Sequence, residues 1–356
     1  MSSKIAEILS SAGPGEVAPP DYVIGLLDGD EIRYLSSLDS QVPQESLFDM
    51  GSLTKIVVTT SLIMKAVEEG KLTLNTAIED IFPSQNFRRV TIRQLLNHRA
   101  GLREWAPLYA LLESSDSLID YMCSEGFVYE QNTERHYSDF GFMLLGKILE
   151  SVYSQSLDQL FSQNISLPLQ LSRTSFGPVS KNLAVVPSSF GDRAEQEMVR
   201  TGKPYAVDTK AHSFDKWRMH TLVGEVNDGN SFHLLGGIAG HAGLFSSAED
   251  LVSYLKEILR SLKGEGFFDR VTLNEFLAES SDEQQALGFA RYSIPYQGRT
   301  VQAYGHTGYP GVGIALIPEL DKGLVMLTNR LLVEGKPIET RSYLVALIEA
   351  HVSSQT

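Results

Sequence analysis

Strand-like runs sit at both ends of this 356-residue chain, and the patterns between them are mostly helical. Near the start, "DYVIGLLDGDEIRYLSS" holds two runs, 22–27 and 31–35, around Asp28-Gly29, a strong hairpin signal. Near the end, "VQAYGHTGYPGVGIALIPELDKGLVMLTNR" holds three more, at 301–306, 312–317 and 324–328, the last two joined by a turn through Pro318 to Gly323. Short apolar strands need partners, so the two ends are expected to share one antiparallel sheet. A short amphipathic helix (3–11) opens the chain and a helical segment, "IETRSYLVALIEAHV", closes it.

Helical patterns fill 53–69, 91–98, 117–125 and 139–153, with Gly70 as a stop and Thr91 and Ser138 or Asp139 as N-caps. Residues 177–235 are irregular, rich in Gly, Pro, Asp and Asn, and a loop that long is usually functional or covering. The expectation is one unit over 1–356: a discontinuous α/β part, 1–51 and 236–356, around a mainly helical part, 52–235.

Charge and composition exclude several classes. A formal charge of −14 opposes nucleic acid and anionic membrane surfaces. The single cysteine, Cys123, rules out a disulfide framework or a cysteine metal cluster and reads as a small buried hydrophobe. No apolar run is long enough for a membrane span. The first residues lack the apolar centre of a secretory signal, and Met1 favours a cytoplasmic protein over a periplasmic one whose leader has been removed. Neither His-Glu-x-x-His nor Cys-x-x-Cys occurs, so no metal site or cofactor is expected. "GGIAGHAG" lacks the ending of a phosphate loop.

Chemistry is suggested by "DMGSLTKIVVTT". On a helix, Ser52 and Lys55 share a face, Gly51 permits close approach, and the helix start directs amide hydrogens at the serine. A desolvated lysine can serve as a serine's base, and Ser-x-x-Lys is a known catalytic pattern. Standing alone, the pair also reads as a helix-start serine and a snorkelling lysine.

Two further stretches bear on that choice: "RHYSDFGFMLLGKILE", with Tyr137 and Asp139 before an apolar helix, and "YGHTGYPGVGIALI", with His306-Thr307-Gly308 at a strand end. Three motifs in this order resemble the serine β-lactamase and penicillin-binding-protein superfamily, and within it class C β-lactamases, DD-carboxypeptidases and related esterases. "TIRQLLNHRAGL", "LPLQLSRTSF" and "LGGIAGHAGLFSSAEDLVSYL" add to the likeness, which runs from about Tyr22 to the C-terminal helix. The resemblance implies an α+β, transpeptidase-like fold. It implies Ser52 as nucleophile, Lys55 as its proton partner, Tyr137 as proton shuttle and His306 as the basic residue of the third motif. Thr307 and Gly308 would contact substrate, and the backbone N–H groups of Ser52 and Tyr309 would form the oxyanion hole. Polar crowding around Lys55 then predicts a free amine and a partly anionic phenol near neutral pH.

Asp139 departs from the family's Tyr-x-Asn. An ionised Asp only accepts hydrogen bonds and would hold Lys55 protonated, which turns the expectation away from an efficient β-lactamase. It could bind substrate, cap the helix, or both. The expected activity is a serine hydrolase acting through an acyl-enzyme on an ester or a D-Ala-D-Ala-like peptide. A weak β-lactamase and a non-catalytic binding or scaffold protein are the alternatives. Its partner would be a small-molecule or short peptide substrate. His98 reads as structural, and His241 as structural with a place near the site as its alternative; Trp105 and Trp217 read as core or as lining a substrate cleft, Trp217 falling in the irregular segment with Tyr205, His212 and His220.

Overall fold

The first strand closes onto the last, and the hydrogen-bond register shows how. A computed structural model describes residues 2–41, 43–83, 90–278 and 282–353, which leaves Met1 outside the described residues. Six strands form one antiparallel sheet: β1 (Tyr22–Asp28), β2 (Glu31–Ser36), β3 (Ala290–Tyr296), β4 (Arg299–Gly308), β5 (Val312–Ile317) and β6 (Lys322–Thr328). Their spatial order is β2-β1-β6-β5-β4-β3. Tyr22 lies opposite Thr328 and Asp28 opposite Lys322. In the first hairpin Asp28 pairs with Glu31, so the turn residues are Gly29 and Asp30, one step beyond the expected pair.

Strand β3 has no counterpart among the expected runs. Its sequence, Ala-Arg-Tyr-Ser-Ile-Pro-Tyr, alternates, but Pro295 argues against a strand. The sheet tolerates it because β3 is an edge, where a missing N–H interrupts no ladder.

Both faces of the sheet are covered. The helices used below are α1 (Ser2–Ser10), α2 (Ser61–Glu68), α3 (Ile92–Leu96), α4 (Leu118–Glu125), α5 (Asp139–Tyr153), α6 (Arg193–Thr201), α7 (Ala248–Leu262) and α8 (Thr340–Ser353). Alternation along β1 sends Ile24 and Leu26 into a core shared with Ile5, Leu9, Leu344 and Leu347 of α1 and α8. It sends Val23 and Leu27 to the other side, into the core that contains Leu251, Val252 and Leu255 of α7. Each such fully buried Leu or Ile contributes about 1.5–3 kcal/mol relative to exposure. Strands β5 and β6, buried along their whole length, therefore read as continuous apolar runs.

The expected helix over 53–69 is helical, but it is not one α-helix. Gly51–Leu53 is a 3₁₀ turn, Lys55–Thr60 is π-helical, and only α2 is regular. The reason is local. Thr60 Oγ1 donates to the Lys55 carbonyl at 2.8 Å and Ser61 Oγ to the Ile56 carbonyl at 3.1 Å, both five residues back, which supports the wider turn. Gly70, at φ +69°, follows the helix end. Within 177–235 the backbone is less irregular than expected: it contains α6, a 3₁₀ turn at Thr209–Ser213 and a π turn at Asn230–Leu234. Among the described residues no helix is long and apolar enough to cross a membrane.

Candidate active site

Three distant segments meet at one cleft of about 380 Å³, whose lining includes Ser52, Tyr137, His306, Thr307, Gly308 and Tyr309. Ser52 lies in the 3₁₀ turn, where the first amide hydrogens have no intrahelical partner. Gly51 is required there: its φ is +45°, and a Cβ would stand 2.7 Å from Pro310 Cδ. Gly308 ends β4 against the same turn, where a Cβ would stand 2.4 Å from the Met50 carbonyl oxygen. These two close approaches bring the backbone around Ser52 next to that of Tyr309. Tyr309 itself is half exposed, and its carbonyl accepts from Arg330 Nε at 2.9 Å.

Lys55 is wholly buried. Its Nζ donates to Ser52 Oγ at 2.8 Å, lies 2.7 Å from Asp139 Oδ1, and reaches the His241 carbonyl at 3.3 Å. It also lies 4.9 Å from the centre of the Tyr137 ring. Burial opposes the ammonium charge, but Asp139 and then Tyr137 outweigh it, so the amine is held above the ordinary lysine range. Tyr137 is pushed upward by burial; Lys55 counters this in part, and Asp139 adds to it. The expected free amine and partly anionic phenol are thus corrected: at neutral pH the site holds an ammonium and a neutral phenol. The carboxylate at 2.7 Å is the physical reason.

Asp139 does not cap α5. Ser138 does, accepting from Gly141 N at 3.3 Å while donating to the Arg103 carbonyl at 2.6 Å. This leaves the Asp139 carboxylate, in the first helical turn, facing Lys55. His98 supports the same corner: its Nδ1 accepts from Ser138 N at 3.1 Å, and its ring lies 4.6 Å from that of Tyr137. Burial, then Lys55, holds the His306 imidazole down at about 3, so it is neutral. Its Nδ1 is 2.7 Å from the Thr307 carbonyl and its ring 5.7 Å from Tyr137.

Sequence reasoning assigned no role to Asp49 or Asp228 and read His241 as structural. His241 is buried, with Nε2 3.0 Å from Asp228 Oδ1, while its carbonyl touches Lys55. One donor atom each from Asp139, Asp228 and His241 lie within 4.8 Å of one another. The composition suits a cation, but Lys55 already supplies the positive charge beside Asp139. Asp49 accepts from Gly51 N at 2.8 Å and from Asn227 N at 2.6 Å, tying the Ser52 turn to the loop that carries Asp228; burial pushes its carboxyl up to about 6. No signal local to these residues reveals contacts nearly two hundred positions apart. Trp105 is buried in a satellite core on which Tyr205 and Trp217 both pack, and Trp217 is not among the residues lining the Ser52 cleft. Cys123 is half-buried against the main core.

The antiparallel sheet, backed by its terminal helices, brings Ser52, Lys55 and Tyr137 together at one cleft. Residues 17–347 match the family described as Beta-lactamase, and the chain belongs to that family. It is 28% identical over 318 residues to an N-acetylmuramyl-L-alanine amidase of Bacillus subtilis (strain 168), covering 82% of this chain and 69% of that protein. It is 29% identical over 314 residues to a putative D-alanyl-D-alanine carboxypeptidase of Escherichia coli (strain K12), covering 80% and 69%. The class C beta lactamase from Rhodobacter sphaeroides superposes with a TM-score of 0.70 at 20% identity, over 99% of both chains. The protein is therefore of a hydrolase family with β-lactamase fold.

Proposed function

We propose that the protein is a serine hydrolase that cleaves amide bonds in cell-wall-type peptides through an acyl-enzyme on Ser52. The observation that carries this reading is the buried chain of contacts from Ser52 Oγ to Lys55 Nζ to Asp139 Oδ1, at 2.8 and 2.7 Å. Lys55 starts as an ammonium, so it takes the serine proton only by passing one of its own to Asp139. The new C–O bond forms as that proton moves, and the charge on the carbonyl oxygen falls to the Ser52 and Tyr309 amides. Tyr137, a neutral phenol, protonates the leaving nitrogen and is reprotonated by Lys55. Water then reverses the sequence and releases the acid.

Amides are preferred over esters in this reading because of the relatives' names and the cations of the cleft. Arg341, over the Tyr292 ring at 4.5 Å, and Arg330 line it, and among the described residues neither has a carboxylate in ion-pair reach. They suit a substrate that ends in a free carboxylate. The test is one incubation with a fluorophosphonate and one panel of a D-Ala-D-Ala peptide, a muramyl peptide, a short p-nitrophenyl ester and a cephalosporin. The expected results are a single adduct on Ser52 and fastest turnover of a peptide amide. Undiminished turnover by Ser52→Ala would exclude this function, and turnover of the ester alone would exclude the amide preference.

A further inference from the structure

Lys55 Nζ has three hydrogens to donate, and one of its acceptors is a main-chain atom. Ser52 Oγ and Asp139 Oδ1 lie at 2.8 and 2.7 Å, and the His241 carbonyl at 3.3 Å. The first two take part in the proposed proton transfer. A backbone carbonyl has no proton to exchange, so its contact can only fix where Nζ stands.

That carbonyl is held in turn by the His241 side chain. Nε2 lies 3.0 Å from Asp228 Oδ1, and an ionised carboxylate only accepts, so Nε2 is the donor. The same Asp228 oxygen accepts from Ser231 N at 2.7 Å. Burial opposes the Asp228 charge, but His241 outweighs it, and the Ser231 amide and Lys55 add to that effect. The chain on either side of His241 is bonded across to the nucleophile segment. Thr59 Oγ1 donates to the Gly240 carbonyl at 2.6 Å, Leu244 N to Thr54 Oγ1 at 3.2 Å, and Met50 N to the Leu244 carbonyl at 2.9 Å.

The residue before Asp228 ties down the nucleophile itself. Asn227 N donates to one oxygen of Asp49 at 2.6 Å, and Gly51 N donates to the other at 2.8 Å. Ser52 and Lys55 are thus both anchored to one loop, at the consecutive residues Asn227 and Asp228. The loop has firm anchors of its own. Arg218, paired with Asp192, donates to the Val226 and Asn227 carbonyls at 2.7 and 3.1 Å. Asn230, fully buried, accepts from Leu108 N at 2.8 Å and donates to the Ala106 carbonyl at 2.9 Å. Asp49, Asp228 and His241 are not among the residues lining the Ser52 cleft, so their contacts run to the reacting side chains and not to the space a substrate would fill.

We infer that Asp228 is a positioning residue for the Ser52 reaction: through His241 it holds Lys55 Nζ against Ser52 Oγ, while Asp49 fastens the Ser52 turn to the same loop. The role is one of hydrogen-bond geometry, because a single Asp228 oxygen takes both bonds and an amide oxygen could replace it. A misplacement of about 1 Å in such a pair can cost on the order of 10²-fold in rate. This inference rests on the proposed function, since it concerns the same reaction.

Fluorophosphonate labelling of the whole chain, followed by intact mass at several reagent concentrations, separates affinity from rate. Asp228→Ala should slow the limiting rate of Ser52 labelling by about 10–100-fold and leave the half-saturating concentration unchanged. His241→Phe, which keeps a ring in place and removes only the donor, should do the same and carries the test if Asp228→Ala does not fold. Asp228→Asn should restore most of the rate. The double variant should be no slower than the slower single, since both break one linkage. Unchanged rates in the single variants, an Asn variant as slow as the Ala variant, or losses that multiply in the double variant would overturn the inference. A second readout does not depend on acylation: the ¹⁵N–¹H signal of the Lys55 ammonium should exchange slowly in the parent and in Asp228→Asn, and quickly in the other two. A parent that takes no adduct on Ser52 would reject the hydrolase reading; the inference would then stand if the ammonium signal responds in this way and fall if it does not.

Discussion

Asp139 Oδ1 stands 2.7 Å from Lys55 Nζ, and Ser138, its neighbour in sequence, takes the helix-capping role that would otherwise occupy it. The charge state of the candidate site follows from that division of labour. A buried lysine without a counter-charge would lose its proton; with this one it keeps it.

Replacing Asp139 by Asn removes the counter-charge and keeps the shape. The expected cost is roughly 3 kcal/mol, in the range for removing one partner of a buried pair. Lys55 is raised in the folded state, so its contribution is present below the ordinary lysine range and disappears only as pH rises through the higher folded value. In the variant, burial without a counter-charge lowers the Lys55 value, so its stability deficit should be largest near pH 6 and shrink as pH rises toward 9 in paired urea melts. The same variant should move the alkaline limb of the kcat/KM profile to lower pH, and an unmoved limb would refute the Asp139 control of Lys55.

Lys55→Met keeps most of the volume and removes the proton carrier. Amide turnover should fall on the order of 10²–10⁴-fold, the range for general acid–base groups. The rate of Ser52 labelling by a fluorophosphonate should fall with it, as read by intact mass against time.

His306 makes folding acid-sensitive. Its folded value is held at about 3 and its ordinary value is 6.5. Its contribution is thus present above 6.5 and is lost as pH falls toward 3, by about 1.4 kcal/mol per unit. His306→Gln should flatten this dependence, and denaturant midpoints at pH 7 and pH 4 will show it. Equal slopes for the two proteins would show that the imidazole is not held neutral.

Gly308→Ala places a methyl group 2.4 Å from the Met50 carbonyl oxygen. Backbone on both sides must separate, costing roughly 1–3 kcal/mol. Because the displaced parts carry Ser52 and Tyr309, kcat should drop further than stability alone explains. Comparing acylation rate with melting temperature checks that split.

Much of this protein was legible in one dimension. The Ser52–Lys55 spacing works because helical periodicity is local: even with 3₁₀ and π turns replacing the regular helix, residues three apart still meet. The first hairpin, apart from its turn lying one residue further on at Gly29-Asp30, and the apolar runs of β5 and β6 were readable for the same reason. Strand β3 was not, because whether Pro295 is tolerated depends on its lying at an edge, and edges are set by the strand order. Trp217 was ambiguous between core and cleft because its packing against the Trp105 satellite core and the Tyr109 and Phe214 rings is tertiary. The sequence by itself determined which side chains could do chemistry and the two ends that would have to pair. Only the tertiary structure decided their protonation, because a pKa depends on burial and on charges a few ångströms away. Those neighbours, Asp139 84 residues on from Lys55 and the His241 carbonyl 186 residues on, are brought in by packing and not by spacing.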